Sequence, residues 1–339
     1  MTNPADQLSR KPKSRKKAIF FAIILPLIWV VGGTLIFANF QNIRDALTAW
    51  QYPLDAQVKT LATEAGLNSR GDYLLQISRA QLDDSASFNA NCQIKETQAI
   101  LLGCYSGQRI YVFNVTDSQI SGIKSVIAAH EMLHAAYQRL SSTERNRVDA
   151  MISAEIPHIQ NPEILDLLKV YAKSEPGQEL NELHSLLATE EKSLPSDLEN
   201  YYKQYFTDRQ KVVANYDAYK QVFDNLNSQA QNLQNQLANE KTAIQKATND
   251  YLTNSRKLSS DIDDFNNCAK TTGCFANQAD FAAQRAALIS RQNQLATDKT
   301  ALDAQVDKYN KDVAALNALG VEAQKLNQNL DSQSQSLAD

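Results

Sequence analysis

Two of the four histidines in this 339-residue chain, His130 and His134, are one helical turn apart in the stretch "IAAHEMLHAAYQRL". On a helix this spacing stacks both imidazoles on one face, where they can reach a single ion. Glu131, one position further round, can then polarise a water without ligating the metal itself. The pattern is His-Glu-x-x-His, and its chemistry is metal-assisted hydrolysis if the residues are helical. The surroundings predict a helix: Ile120, Ile123, Ile127, Leu133 and Leu140 supply apolar periodicity, and no Pro or Gly interrupts positions 123 to 140. The bland alternative is a core helix holding two incidental histidines.

With these residues the chain resembles the zincin metallopeptidases, whose active-site helix carries the same motif and whose sheet has an edge strand just upstream. "QRIYVFNV" at 108–115 is placed where that strand would be. The resemblance implies Zn2+ held by His130 and His134, with Glu131 as general base. Catalytic zinc usually takes three protein ligands. A metzincin would place the third at position 140, where this chain has Leu140. The gluzincin type uses a glutamate from a downstream helix, often in an Asn-Glu-x-x-Ser pattern, and Asn181, Glu182, Leu183, His184 and Ser185 match it. The resemblance therefore implies Glu182 as a metal ligand, with Glu190, His184 and Glu179 as alternatives on the same predicted helix. Residues 182 and 184 lie about 200° apart on a helix, so they cannot both face one ion. His158, in a Pro-flanked loop, receives no role. Tyr171, Tyr201, Tyr202 and Tyr205 are available as oxyanion donors, and nothing in the sequence chooses among them.

The elements that must position these residues are predicted as follows. "DYLLQIS" (72–78), "AILLGCY" (99–105) and "QRIYVFNV" (108–115) read as strands, the last two as a hairpin across "SGQ". Asp117 or Ser118 caps a helix running to Leu140, Ser141 with Glu144 forms a capping box, and Asn161 before Pro162 starts a third helix. Pro176 and Gly177 separate that helix from one beginning near Gln178, and Ser196 with Glu199 opens another.

Residues 18–40, "AIFFAIILPLIWVVGGTLIFANF", carry no charge and follow six cations, Arg10, Lys11, Lys13, Arg15, Lys16 and Lys17. This reads as a transmembrane signal-anchor helix with the basic tail in the cytoplasm and everything after Phe40 outside it. In an oxidising space the four cysteines should pair locally, Cys92 with Cys104 and Cys268 with Cys274. The net charge is −4 with its cations concentrated at the start, so the remainder is acidic and has no electrostatic footprint for nucleic acid.

Beyond Arg209 the apolar positions step by three and four: Val212, Tyr216, Tyr219, Phe223, Leu226, Ala230, Leu233 and Leu237. A second series runs at sevens through Phe281, Leu288, Leu295, Leu302, Tyr309 and Leu316. Two heptad seams joined by a short loop predict an antiparallel hairpin, with Asn254, Gln292 and Lys299 as polar seam positions and fraying after Gly320.

The expected fold is an α+β zincin-like catalytic domain, a small sheet plus helices, over 41–208. A basic tail (1–17) and a membrane helix (18–40) precede it, and a long coiled-coil hairpin (209–339) follows. The expected activity is a membrane-anchored zinc endopeptidase acting on a peptide or protein substrate outside the cytoplasm, its coil available to a helical partner or to self-association. Alternatives are an inactive scaffold that binds through its coil and a zinc amidase acting on cell-wall peptides.

Overall fold

Asn68 accounts for the first departure from these expectations. Its side-chain oxygen accepts from the backbone N–H groups of Arg70 (2.9 Å) and Gly71 (3.2 Å), which makes the following β-prone "DYLLQIS" a capped helix with Leu74, Leu75 and Ile77 buried. Tertiary burial of that face, started by a cap, overrides local strand propensity.

The computed structural model describes residues 25–92, 102–174 and 176–335, and helix dominates it. The order is α1 (Leu25–Ala38), α2 (Phe40–Gln51), α3 (Ala56–Glu64), α4 (Ser69–Ile77), β1 (Gln81–Asp83), α5 (Ser85–Asn91), β2 (Gly103–Ser106), β3 (Arg109–Phe113), α6 (Ile123–Gln138), α7 (Ser142–Glu155), α8 (Pro162–Ser174), α9 (Glu179–Glu190), α10 (Ser196–Tyr202), α11 (Gln210–Ala269), α12 (Gln278–Leu330) and α13 (Ser332–Gln335). The expected α+β domain is thus corrected to a mostly helical chain with one three-stranded sheet, whose strands are only three, four and five residues long.

The membrane helix is the second correction. Among the described residues no helix is long and apolar enough to cross a membrane. The described part of the apolar run forms α1, Leu25–Ala38. Residues 18–24 of the expected span lie outside the described residues, as does the basic tail. The single-pass anchor and the extracytoplasmic location inferred from it are withdrawn. The two disulfides do not depend on them: Cys92 bonds Cys104, and Cys268 bonds Cys274.

Contacts divide the chain into two compact units. The first comprises the described parts of Met1–Thr97, Leu102–Asn114 and Lys124–Val213. Its sheet has the order β1-β3-β2, with β1 parallel to β3 (Leu82 opposite Val112) and β2 antiparallel to it (Tyr105 opposite Ile110). The expected β2–β3 hairpin is present, turning through Gly107 and Gln108, both at positive φ as a tight two-residue hairpin turn requires. Strand β2 begins at Gly103, and positions 99–101 of the expected strand lie outside the described residues. The central strand β3 is buried from Ile110 to Phe113, and Phe88 of α5 packs on Phe113 with ring centroids 5.6 Å apart. Strand β1 was not anticipated, since three residues between two helices leave no periodicity to read.

The capping box of Ser141 and Glu144 at α7 is formed as expected. Asn161 accepts from the N–H of Glu163 at the start of α8. At α10, in contrast, no side chain caps the helix, because Pro195, which has no side-chain acceptor, holds the N-cap and Ser196 is already helical, while Glu199 pairs with Arg209.

In the second unit, α11 and α12 pack as an antiparallel hairpin. Gln236 donates to Asp312 (2.6 Å), Lys308 pairs with Glu240, and Arg291 pairs with Asp261 at 2.5 Å. The half-buried positions follow the predicted sevens from Phe281 to Leu316. Asn254, Gln292 and Lys299 are exposed, so the seam's polar members are instead Ser255, Arg291 and Asp298. Both seams are used within the chain, in the packing of α11 against α12. Near the tip, Phe265, Phe275 and Phe281 form a ring cluster beside the Cys268–Cys274 bond. No fraying begins at Gly320: α12 continues to Leu330, with Leu326 and Leu330 fully buried.

Candidate metal centre

Helix α6 starts later than the Asp117 cap suggested, after a turn in which Asp117 accepts from the N–H of Gln119. Its own small and apolar residues are enclosed: Val126, Ala128, Ala129, Met132, Leu133, Ala135 and Ala136 are all buried. Within the helix the less buried positions form a single stripe, Ile127, His130, His134 and Gln138, at spacings of three and four beyond Lys124. The histidines therefore line the one open face of an otherwise enclosed helix, unlike incidental core residues.

Helix α9 meets this face. It is buried from Glu182 to Thr189, so the Glu182 carboxylate needs partners that can satisfy a charge in the interior. It finds them in His130, whose Nε2 is 3.3 Å from Oε1, and His134, whose Nε2 is 3.3 Å from Oε2. The two Nε2 atoms lie 3.1 Å apart. Two ring nitrogens this close cannot both direct a proton at each other. They are, however, suitably placed to share an ion: with metal–ligand bonds of 2.0 to 2.1 Å, donors on a tetrahedral ion are about 3.3 Å apart. His134 turns its other nitrogen, Nδ1, to donate to Asn181 Oδ1 at 3.1 Å, and the Asn181 amide is held in turn by Gln178 (3.2 Å). This fixes the tautomer in which Nε2 offers a lone pair to the centre.

Charge follows the geometry. Burial alone would lower the pKa of both imidazoles, but the Glu182 carboxylate overrides it, raising His130 and bringing His134 to about 9. Glu182 is driven well below the usual carboxylate range because the two imidazoles overcome the effect of burial. Glu131 is also buried, and burial raises its pKa against the opposing pull of the imidazoles. His130, His134 and Glu182 together could hold a metal ion, and they are the cluster of this kind among the described residues.

The alternatives on α9 point elsewhere. Glu179 accepts from the N–H of Gly177 at 2.7 Å, before the helix. His184 is fully buried on the opposite side, its Nε2 2.9 Å from the hydroxyl of Tyr201, and burial with the nearby imidazoles lowers its pKa to about 3. Glu190, two turns beyond Glu182, is outside the cluster. Tyr202 donates to the carbonyl of His184 (2.8 Å) and Tyr205 lies 3.4 Å from Tyr201, so these three tyrosines pack the core around His184. His158 is exposed, near the carbonyl of Ala154.

Arg209 was not singled out from the sequence, yet it secures the end of α9. Its guanidinium donates to the carbonyls of Ala188 (3.2 Å), Glu191 (2.5 Å) and Lys192 (3.1 Å) and forms a two-toothed pair with Glu199. The helix whose first turn presents Glu182 is thereby closed at its last turn, where carbonyls otherwise lack partners. No spacing in the sequence announces this contact.

No family model, curated protein or solved structure matches the chain.

Proposed function

We propose that the chain is a zinc-dependent peptide hydrolase of gluzincin type, with His130, His134 and Glu182 as metal ligands and Glu131 as general base. The observation that supports this most is the convergence of the two Nε2 atoms, 3.1 Å apart, on the Glu182 carboxylate, which sets one oxygen 3.3 Å from each, with the buried Glu131 carboxylate beside them. Two imidazoles and a carboxylate are a donor set suited to zinc, and three protein ligands leave one position open for catalysis. When bound, zinc supplies a Lewis acid that polarises a scissile carbonyl and acidifies a water.

The remaining chemistry belongs to side chains. Glu131 takes a proton from the attacking water on its carboxylate and delivers it to the departing amine. Its burial suits that task, because a carboxylate with a raised pKa holds the transferred proton more readily. Asn181 keeps His134 in the ligating tautomer, and the buried walls of α6 restrict water to the open stripe.

The test uses the purified full chain loaded with zinc. It should retain about one ion per chain after dialysis, as one three-ligand site requires, and should cleave a fluorogenic peptide library. Glu131→Gln should keep the ion and lose cleavage. Cleavage that survives in Glu131→Gln would overturn the mechanism, and a wild-type chain that binds zinc without cleaving any peptide would overturn the activity.

A further inference from the structure

The surface against which Glu131 rests is one strand. A Cβ placed on Gly103, the first residue of β2, would lie 2.9 Å from Glu131 Oε1, 3.0 Å from Glu131 Cγ and 2.3 Å from Ile127 Cγ2. All three distances are at or inside the limit of ordinary packing, so the carboxylate occupies the space that a side chain at 103 would take.

The strand cannot readily move aside. Successive strand residues face opposite ways, which directs Gly103 and Tyr105 toward α6 and Cys104 away from it. Tyr105 donates to Gln138 Oε1 at 2.6 Å and accepts from Arg139 Nη1 at 3.1 Å, and Arg139 is anchored to Asp45 at 2.9 Å. On the opposite face Cys104 is bonded to the buried Cys92 at the end of α5. Four residue pairs join β2 to β3 along its length. Gly103 is thus fixed by a disulfide, a sheet ladder and a tyrosine bridge to the same helix that carries the histidines.

We propose that Gly103 is a positioning residue for Glu131: strand β2, held by the Cys92–Cys104 bond, is a fixed stop, and the absent side chain at 103 sets where the carboxylate sits beside the metal ligands. This rests on the reading of Glu131 as general base. None of the three atoms nearest to a Cβ at 103 belongs to a metal ligand, so a side chain there should disturb the base and spare the ion.

Three variants separate the possibilities: Gly103→Ala, Ile127→Ala and the two combined. Two quantities are read on each: zinc retained after dialysis, and the side-chain NMR resonance of Glu131 in isotope-labelled protein, assigned by its loss in Glu131→Gln. Peptide cleavage is the third readout. In Gly103→Ala the Glu131 resonance should shift, zinc should stay at the wild-type level, and kcat should fall about 10–100-fold with KM little changed, the range expected for a misplaced catalytic group. The combined variant removes the 2.3 Å conflict with Ile127 and leaves the conflict with Glu131, so its resonance and kcat should remain displaced relative to Ile127→Ala alone. If Gly103→Ala does not fold, the combined variant carries the same comparison. An unmoved Glu131 resonance, or full recovery of kcat in the combined variant, would overturn the inference, since the effect would then act through helix packing. A wild-type chain that cleaves nothing while its Glu131 resonance still responds to Gly103→Ala would overturn the proposed activity and leave the packing relationship standing.

Discussion

His130 and His134 bring their Nε2 atoms to 3.1 Å of each other, with a separate oxygen of the Glu182 carboxylate 3.3 Å from each. Removing the carboxylate removes the group on which both imidazoles converge. Glu182→Ala should lose zinc on dialysis, whereas Glu190→Ala, eight positions further along α9, should keep it. Metal analysis after exhaustive dialysis decides this, and loss confined to Glu190→Ala would reassign the ligand.

Asn181 acts one bond further out. Asn181→Ala should weaken zinc binding about 10–100-fold without abolishing it, as loss of an outer hydrogen bond to a ligating histidine does elsewhere. Competition titration against a chelator measures the effect. An unchanged affinity would mean that the His134 ring is oriented by its packing alone.

Protonation gives opposite signs with and without the ion. In the metal-free chain the His134 pKa rises from 6.5 to about 9, so its contribution to stability is complete below 6.5 and is lost as pH rises through 9. The lowered Glu182 contributes above its ordinary value of 4.5 and loses that contribution as pH falls well below it. The Tm of the metal-free chain should therefore decline between pH 6.5 and 9 relative to a His134→Ala variant. Zinc must displace protons from these rings, so its apparent affinity should climb by up to about tenfold per displaced proton per pH unit over the same interval. Calorimetric melting with and without zinc checks both signs, and parallel curves would dissociate the imidazoles from the metal.

Arg209 supports α9 from its far end and is only 5% exposed. Arg209→Ala leaves Glu199 and several carbonyls without their donor, and should cost about 3–5 kcal/mol in urea unfolding, the range for breaking a buried pair. Arg209→Lys should recover little, because an ammonium cannot span a carboxylate and the helix end together. A loss below about 1 kcal/mol, the level of a surface pair, would count against this role.

The histidine pair was legible because a spacing of four on a helix without breakers puts both rings on one face. Glu182 was legible at one remove, through the Asn-Glu-x-x-Ser resemblance and a helical pattern that put His184 on another face. The heptad seams were read from apolar periodicity alone, and both long helices follow them. Other features lay beyond such local reading. The strand propensity of "DYLLQIS" gave no weight to the Asn68 cap just before it. The uncharged run at 18–40 suggested a membrane span, whereas among the described residues no helix is long and apolar enough to cross a membrane. Polar seam positions were misassigned because a phase error of one residue moves a position from the seam to the surface. Arg209 and Gly103 depend on partners far away in sequence, where periodicity carries no information.

The Cys268–Cys274 bond encloses five residues at the bend between the two longest helices. A backbone cut anywhere inside that loop would leave both arms joined through sulfur, so a nicked chain would migrate as one species until a reductant released its halves. Fragment size on gels run with and without thiol would thus record whether this loop has been severed while the hairpin remained covalently whole.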